Sequence, residues 1–383
     1  MESAPGLNNA STLAPAFSKQ DSRFSSAFSI LSTAISQRAF PAASIAVTYA
    51  NELVALKSFG HFRYDEGIAP DPETLFDLAS LTKVVATTTI AMILYERGLL
   101  ELEAPIIGTI PEFSSSSGVA ADARRPSVTF RMLLAHSSGL PAYEKLFLKA
   151  RSRDELLQMA FTTPLCANPG SRAEYSDIGF IILATALERI ARERLDVFCQ
   201  REIFGPLAMT NTLFNPPVNR RKLIPPTTDE RGGATGVHST FRNRVIQGEV
   251  QDENAYVLGG VAGHAGLFAS AEDIARFAQA MLREGTPILR PETVALFTRR
   301  QAIPAGTSRA LGWDTPSNPS QSGRHFGPRS FGHLGYTGTS LWIDPDHQLS
   351  ITLLTNRTWP DCSNHAIKQI RPRFHDAIVE ALQ

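Results

Sequence analysis

Strand-forming segments stand at both ends of this 383-residue chain, and helical periodicity fills its middle. Apolar and β-branched residues predict a hairpin of strands over 42–49 and 53–59, and short strand patterns return after residue 309. Between them, helical spacing of apolar residues dominates from Ser80 to about Leu207. Strands at both ends with helices between them imply an antiparallel sheet that is closed by the two termini and carries an inserted helical lobe. The predicted fold class is α+β.

The individual elements follow from the same patterns. We expect helices over 24–38, from Ser80 to a stop at Gly98, over 128–134, over 178–187, after Ser270 and over 364–382, and later strands over 309–313, 331–335, 339–343 and 349–355. The polar, proline-containing segment 216–248 predicts an irregular loop that covers a cleft. The predicted domains are a mobile N-terminal tail (1–20) and one catalytic unit (21–383), which divides into an α/β lobe (about 21–95 and 270–383) and a helical lobe (about 96–269).

Composition narrows the classes of function. With 43% hydrophobic residues the chain can bury a large core, and 37 basic residues balance 37 acidic ones, which argues against a nucleic-acid partner. The first 20 residues carry neither a basic start nor a continuous apolar run. This predicts no signal peptide, no membrane span and a cytoplasmic location, although a removed leader would leave a periplasmic or extracellular location open. Scattered histidines and the distant Cys166, Cys199 and Cys362 predict no metal, no cofactor and reduced thiols.

The strongest chemical signal is Ser80-Leu81-Thr82-Lys83 at the start of an apolar helix. Residues three apart share a helix face, so the Ser80 hydroxyl and the Lys83 amine can touch, and such a contact can turn serine into a nucleophile. None of the other six lysines has a serine three residues before it. Burial favours the neutral form of an amine, whose free pKa is about 10.4, whereas a lysine with no catalytic role would carry its charge to water.

Later segments supply groups of matching chemistry. Tyr175 follows a turn and precedes an apolar helical run, and 332–342 predicts two short strands around glycines. With a free pKa of about 10, Tyr175 can act as general base for acylation if an ammonium favours its phenolate or if it shares a proton with Lys83. The oxyanion of an attacked carbonyl needs two donors, for which the backbone N–H groups of Ser80 and Tyr336 are candidates.

In chain order, these segments resemble the motifs of the penicillin-recognising serine hydrolases, in particular the branch with class C β-lactamases, D-alanyl-D-alanine carboxypeptidases and β-lactamase-like esterases. The resemblance runs from about Phe40 to Leu354. The matches are Ser80 and Lys83 with S-x-x-K, Tyr175-Ser176-Asp177 with Y-x-N, His333-Leu334-Gly335 with K-T-G or H-x-G, 133–141 with L-L-x-H-x-S-G-L-P, and 263–268 with a glycine-rich turn before a late helix.

The resemblance implies a β-lactamase/transpeptidase-like fold and an acyl-enzyme on Ser80. It assigns catalytic roles to Ser80, Lys83 and Tyr175 and substrate-binding roles to Asp177, His333 and Gly335. Gly335 would let its strand approach the substrate with no side chain in the way. The implied partner is a small-molecule ester, amide or β-lactam, and the oligomeric state stays open.

One departure from the family's pattern lies in the second motif. Asp177 stands where asparagine is usual, so a carboxylate replaces an amide. Its negative charge favours a protonated Lys83 and opposes a Tyr175 phenolate. Our hypothesis is that Asp177 keeps Lys83 protonated and that Tyr175, or a Tyr175–Lys83 proton relay, carries the base function.

The other departure lies in the third motif. His333 stands where lysine is common and offers at best a partial charge at neutral pH. A substrate carboxylate calls for a fixed cation, so this residue favours neutral acyl substrates such as esters, unless Arg324 or Arg329 supplies the missing charge.

The predicted function is a serine hydrolase of small acyl substrates, most of all an esterase, with D-alanyl-D-alanine carboxypeptidase or β-lactamase as alternatives. A penicillin-binding sensor, in which Ser80 is acylated without turnover, is the alternative from another class.

The segment 135–139 resembles a nucleophile elbow of α/β-hydrolases, but such an elbow follows a strand and 128–134 predicts a helix. The glycine-rich 259–266 lacks the lysine of a phosphate-binding loop.

Overall fold

The computed structural model describes residues 13–64, 67–114, 122–231 and 241–383. The strands are β1 (Ala14–Pro15), β2 (Ala42–Tyr49), β3 (Glu52–Gly60), β4 (Phe76–Asp77), β5 (Thr212–Phe214), β6 (Thr228–Asp229), β7 (Val245–Ile246), β8 (Leu267–Ala269), β9 (Phe331–Leu334), β10 (Ser340–Asp344) and β11 (Leu349–Thr355). The α-helices are α1 (Gln20–Arg23), α2 (Ser25–Ser36), α3 (Thr89–Glu96), α4 (Phe130–Leu134), α5 (Arg153–Thr162), α6 (Asp177–Ala191), α7 (Leu195–Cys199), α8 (Glu253–Val257), α9 (Ala271–Leu282), α10 (Pro291–Thr298) and α11 (Ile367–Leu382).

One six-stranded sheet combines both ends of the chain. Its strand order is β1-β3-β2-β11-β10-β9, and every neighbouring pair is antiparallel except β1 with β3. The N-terminal hairpin meets the C-terminal strands where β2 pairs with β11, from Tyr49 opposite Leu349 to Ala43 opposite Thr355. The predicted α+β class, with a sheet closed by the two termini, is confirmed.

The two faces of this sheet bury separate apolar cores. Successive residues of β2 alternate between them, as a pleated strand requires: Ile45 belongs to one core and Ala46 to the other. The helices α2 and α11 pack together over the first core, where Trp342 and Phe374 are fully buried. The helix α9 contacts β2, β10 and β11, and its apolar side joins the larger core that also contains the buried residues of α3 and α6.

A smaller sheet positions the segment before Ser80. Its order is β4-β8-β5, and Asp77 at the end of β4 pairs with Phe268. The chain then forms a 3-10 turn over Ala79–Leu81 and a π-helical stretch over Lys83–Thr88, and continues as α3. The predicted helix after Ser80 is therefore present, but its first turns are irregular.

The predicted strand over 309–313 is wrong. Arg309 and Asp314 form only an isolated bridge. Gly312 bends the backbone with a φ of +82°, and a Cβ at this position would lie 2.0 Å from Oγ1 of Thr88. The apolar residues of this segment are therefore buried by a turn that packs closely on the helix after Ser80, and not by a strand.

Two loop predictions need adjustment. In the segment 216–248, a 3-10 turn covers Val218–Leu223 and β6 pairs with β7, so it is more regular than expected, while 232–240 lies outside the described residues. Of the tail predicted over 1–20, residues 1–12 lie outside the described residues, but β1 pairs with β3, so pairing to the sheet begins before residue 21. The division into two lobes stays a prediction.

Within the described ranges, we find no helix whose length and apolar content would let it span a bilayer.

We predict that docking of α11 stabilises the whole sheet. Phe374→Ala removes a fully buried ring from the core under α11, and such truncations cost about 3–5 kcal/mol. Urea unfolding should show this loss, whereas Gln369→Ala at an exposed position of the same helix should change the free energy of unfolding by less than about 0.5 kcal/mol. Equal effects of the two substitutions would contradict this packing.

Candidate active site

The turn that carries Ser80 is held by its neighbours on both sides. Leu78 N donates to Leu267 O at 2.9 Å, and Oγ1 of Thr339 donates to Leu78 O, also at 2.9 Å. At Gly335 a Cβ would lie 1.9 Å from Oγ1 of Thr339 and 2.5 Å from Leu78 O. Only glycine therefore lets the end of β9 lie so close to the turn that bears Ser80.

Two predicted groups, the Lys83 amine and the Tyr175 phenol, meet at the Ser80 hydroxyl. Lys83 Nζ donates to Ser80 Oγ at 2.9 Å, and the Tyr175 hydroxyl donates to the same oxygen at 2.7 Å. Tyr175 lies 95 positions later in the chain, so only the tertiary structure creates this contact. The arrangement gives Ser80 two hydrogen-bonded neighbours that can exchange protons with it.

Lys83 is a fully buried cation with three partners. Besides Ser80 Oγ, its Nζ donates to His264 O at 3.0 Å and forms an ion pair with Asp177 Oδ1 at 2.6 Å. Burial has the largest single effect and lowers the pKa of Lys83, but the contact with the Asp177 carboxylate leads the opposing effects, and the net pKa is above its usual value. This environment supports the hypothesis that Asp177 keeps Lys83 protonated.

Tyr175 is protonated in the same environment. Burial raises the pKa of its phenol, and the Lys83 ammonium only partly offsets this effect. His136 fixes the ring from one side, with ring centroids 4.6 Å apart, and its Nδ1 accepts a hydrogen bond from Ser176 N at 3.0 Å. Burial lowers the pKa of His136 well below its usual value. His136 was missed as a site residue, although it lies in the segment 133–141 that matched a family motif.

His333 is neutral and almost completely buried, with 3% of its surface exposed. Its Nδ1 lies 2.8 Å from Leu334 O, and because a carbonyl oxygen only accepts, Nδ1 carries the proton. Burial, followed by the charges of Lys83 and Arg309, lowers the pKa of His333 well below its usual value. His333 therefore does not provide the cation that lysine would provide at this position.

A cavity of about 600 Å³ opens beside Ser80. It is lined by all the predicted site residues except the fully buried Lys83, namely Ser80, Tyr175, Asp177, His333, Gly335 and Tyr336. The structure therefore brings the backbone segments of Ser80 and Tyr336, the predicted oxyanion donors, to one cavity. A volume of this size suits a small-molecule substrate.

The cations that line this cavity are not the ones that the sequence suggested. Arg324 is paired with Glu380, Arg329 is paired with Asp346, and both arginine side chains are 71% exposed and lie outside the cavity lining. Arg309 lines the cavity instead, with its guanidinium carbon 5.4 Å from the Tyr175 ring centroid. Sequence reasoning missed Arg309 because it placed this residue in a strand.

The ion pair that Arg309 makes is long. Its Nη1 lies 3.7 Å from Asp314 Oδ2, and within the described part of the chain the structure gives the guanidinium no closer polar partner.

Lys145 is another cation in the cavity lining. Among the described residues, no group of histidine, cysteine, aspartate and glutamate side chains has the arrangement of a metal site.

Comparisons with known proteins identify the family. The family model described as Beta-lactamase matches residues 26–371. The chain is 32% identical over 346 residues to N-acetylmuramyl-L-alanine amidase of Bacillus subtilis (strain 168), covering 83% of this chain and 77% of the amidase. It is also 32% identical over 346 residues to the Escherichia coli (strain K12) protein named "Putative D-alanyl-D-alanine carboxypeptidase", covering 83% and 79% of the two chains.

Solved structures agree on the fold. EstCE1, described as a hydrolase with promiscuous acyltransferase activity, superposes with a TM-score of 0.76 at 21% identity and covers 94% of this chain and 100% of its own. A penicillin-binding protein homologue from Caulobacter crescentus gives a TM-score of 0.74 at 17% identity, covering 97% and 99%. The chain therefore belongs to the beta-lactamase family, which confirms the resemblance of its motifs, and it is a serine hydrolase.

We predict that Asp177→Asn lowers the pKa of Lys83. Without the carboxylate, burial of the ammonium dominates, and the loss of a charge at 2.6 Å should move the titration down by about 1–3 pH units. Nuclear magnetic resonance of lysine side chains, with Lys83→Ala to identify the signal, measures this shift. Glu253→Gln, which removes another carboxylate from the cavity lining, should have a much smaller effect.

The same substitution should change the pH dependence of turnover. Asp177 also raises the pKa of Tyr175, so both members of the Lys83–Tyr175 pair should release protons at lower pH in Asp177→Asn. The acidic limb of the pH–rate profile should therefore move to lower pH. An unchanged acidic limb would show that Asp177 does not control these protons.

Proposed function

We propose that this serine hydrolase forms an acyl-enzyme on Ser80 and that it is an esterase-like hydrolase of small acyl substrates. The observation that carries the proposal is the meeting of Lys83 Nζ and the Tyr175 hydroxyl at Ser80 Oγ, at 2.9 and 2.7 Å, beside a cavity. A serine at a cavity wall with two proton-exchanging neighbours is the arrangement that nucleophilic catalysis requires.

The proton balance sets the order of events. In the resting site, Ser80 Oγ accepts hydrogen bonds from Lys83 and Tyr175, so both the amine and the phenol are protonated. The Lys83–Tyr175 pair must release one proton to solvent before Tyr175 can accept the proton of Ser80. As Ser80 Oγ bonds to the carbonyl carbon, its proton passes to Tyr175, and the same proton then goes to the departing alkoxide or amine.

The oxyanion and the deacylation step use the same cavity. The backbone N–H groups of Ser80 and Tyr336 are our candidate donors to the tetrahedral oxyanion, since both segments line the cavity. In deacylation a water molecule gives a proton to Tyr175 as its oxygen bonds to the acyl carbon, and the bond from that carbon to Ser80 Oγ then breaks. Ser80 then recovers its proton from Tyr175.

The third motif supports neutral substrates. His333 is uncharged and buried, so it does not attract a carboxylate at neutral pH. The carboxylates of Asp177, Asp252 and Glu253 also line the cavity and would repel an anionic substrate that approached them. Esters of small acids carry no charge to be repelled, and we therefore rank esterase activity first.

Arg309 favours a second candidate, a D-alanyl-D-alanine carboxypeptidase. The substrate of a carboxypeptidase ends in a carboxylate, and the guanidinium of Arg309 faces the cavity with only a long ion pair to Asp314. A relative of this chain bears that name. A β-lactam also carries a carboxylate, so the same residue would serve β-lactamase activity or a penicillin-binding sensor that does not turn over.

We expect Ser80→Ala to abolish turnover of short-chain p-nitrophenyl esters, by about 1000-fold or more, because it removes the nucleophile. Mass spectrometry of the wild-type protein after rapid quenching should find the acyl group on the peptide that contains Ser80. The control is Ser137→Ala, which removes the serine of the elbow-like segment and should retain activity. A burst of one equivalent without further turnover would indicate a binding protein, and labelling of another residue would contradict the proposal.

Arg309→Gln separates the two substrate classes. If Arg309 binds a carboxylate, the substitution should raise KM for a D-alanyl-D-alanine peptide or a cephalosporin about 10-fold or more, while kcat/KM for a neutral ester changes little. Arg329→Gln is the matched control, because this arginine lies outside the cavity lining. Equal losses on both substrate classes would mean that Arg309 acts on Tyr175 and not on a substrate carboxylate.

A further inference from the structure

The carboxylate of Asp77 connects two segments that border the site. Its Oδ1 accepts from Ala79 N at 2.9 Å, and its Oδ2 accepts from Gln251 N at 2.6 Å. Ala79 directly precedes Ser80 and has a φ of +47°, which is unfavourable for a residue with a side chain. The Asp77 carboxylate therefore stabilises the strained residue next to Ser80 and at the same time holds the segment at Gln251.

A second connection runs from that segment to Lys83. Asp252 follows Gln251, and its Oδ1 lies 2.8 Å from Nε2 of His264, which is 1% exposed. The backbone oxygen of His264 accepts the hydrogen bond from Lys83 Nζ at 3.0 Å. The hydrogen bonds thus lead from the residue before Ser80, through two acidic side chains and one histidine, to the amine that contacts Ser80.

These contacts form a closed ring of hydrogen bonds and backbone that includes Ser80 and Lys83. We call it the Asp77 ring. It consists of Asp77, the segment Gln251–Asp252, His264 and the stretch from Ala79 to Lys83. We propose that Asp77 is a positioning residue whose carboxylate, through this ring, sets the distance between Ser80 Oγ and Lys83 Nζ. The proposal rests on the proposed role of Ser80 as the nucleophile and adds a residue that touches no reacting atom.

The chemistry of the ring requires a carboxylate at position 77. Both of its partners are backbone N–H groups, so each oxygen of the side chain has to accept. An asparagine offers one accepting oxygen, and its NH₂ group cannot accept from the second N–H. Asp77→Asn therefore breaks one of the two links with almost no change in volume.

A competing arrangement could position Lys83 without the ring. Oγ1 of Thr87 donates to Gly263 O at 2.7 Å, and Leu267 N donates to Oγ1 of Thr82 at 3.1 Å. These bonds tie the turn around His264 directly to the helix that carries Lys83. If they suffice, the Ser80–Lys83 contact will not depend on Asp77, and the experiment must separate the two arrangements.

The test compares three single variants and one double variant of the full chain. Asp77→Asn and His264→Phe each break one link of the ring, and the double variant breaks both.

The control is Asp273→Asn. Asp273 is likewise buried, its Oδ2 accepts from Asn211 N at 2.6 Å and Thr212 Oγ1 at 2.9 Å, and it lies outside the cavity lining. Burial raises the pKa of both Asp77 and Asp273 to about 6, but both donors to Asp273 bind one oxygen, which an asparagine retains. Asp273→Asn therefore controls for the loss of a buried carboxylate without the loss of a link.

The kinetic readout is the acylation rate with a p-nitrophenyl ester in the pre-steady state. Asp77→Asn should slow acylation by about 100-fold, as expected when reacting groups shift by about 1 Å, with KM changed by less than about threefold. The double variant should be about as slow as the slower single variant, because both substitutions open the same ring. Asp273→Asn should acylate at the wild-type rate once the folded fraction is measured by thermal unfolding.

An independent readout is amide hydrogen exchange, which requires no activity. Peptides that cover 78–82, 249–254 and 262–266 should exchange faster in Asp77→Asn than in Asp273→Asn. Wild-type acylation in Asp77→Asn, fully multiplied losses in the double variant, or unchanged exchange in the three segments would overturn the proposal. If Asp77→Asn does not fold, His264→Phe decides by the same exchange and rate criteria. If the wild-type protein is not acylated at Ser80, the proposed function fails, and the exchange comparison still decides whether Asp77 couples the segments.

Discussion

A fully buried ammonium needs polar and charged partners in place of water, and at Lys83 this requirement brings separate segments of the site together. Its three partners come from the turn before the helix, from the start of α6 and from the turn at His264. Losing the Asp177 carboxylate would leave the buried ammonium without its ion-pair partner, at a cost of about 3–5 kcal/mol if the amine kept its proton. The buried charge of Lys83 therefore also holds three segments together that are far apart in the chain.

The fold makes this convergence possible because it fixes both ends of the chain in one sheet. The strand β9 ends at Leu334, beside the turn that carries Ser80, and Thr339 bonds that turn from the start of the next strand. Asp177 begins α6, and Ser176 caps this helix by accepting from Gly179 N at 3.0 Å. Tyr175 is thus held at a helix start, with His136 packed on its ring.

The electrostatics of the cavity follow from what is buried and what is left at its surface. Burial keeps His136 and His333 uncharged, whereas Lys83 retains its charge because the Asp177 carboxylate contacts it and its pKa lies above the usual value. Among the described residues, the guanidinium of Arg309 at the cavity wall has its ion-pair partner Asp314 at a distance of 3.7 Å. Discrimination between neutral esters and carboxylate-bearing substrates would then depend on a residue outside the three motifs.

The parts of the site that were predictable from sequence are those with local causes. The spacing of Ser80 and Lys83 places them on one helix face, and the order of the motifs indicated the family. Strand patterns at both ends of the chain indicated the α+β class and the closure of the sheet by both termini. The strand over 309–313 could not be judged in this way. A glycine turn packed on Thr88 has the same apolar composition as a short strand, and Arg309 was missed with it.

The amino-acid sequence by itself determined which chemical groups are available: an alcohol and an amine one helical turn apart, a phenol next to a carboxylate, and a histidine in place of a lysine. Only the tertiary structure decided their protonation and their partners. Burial depth and the proximity of charges set these properties, and both depend on contacts between residues that are far apart in the chain, such as Lys83 with Asp177 and His264. Local pattern carries no information about such contacts, and for that reason the positions of Asp252 and Arg309 in the cavity lining became visible only in three dimensions.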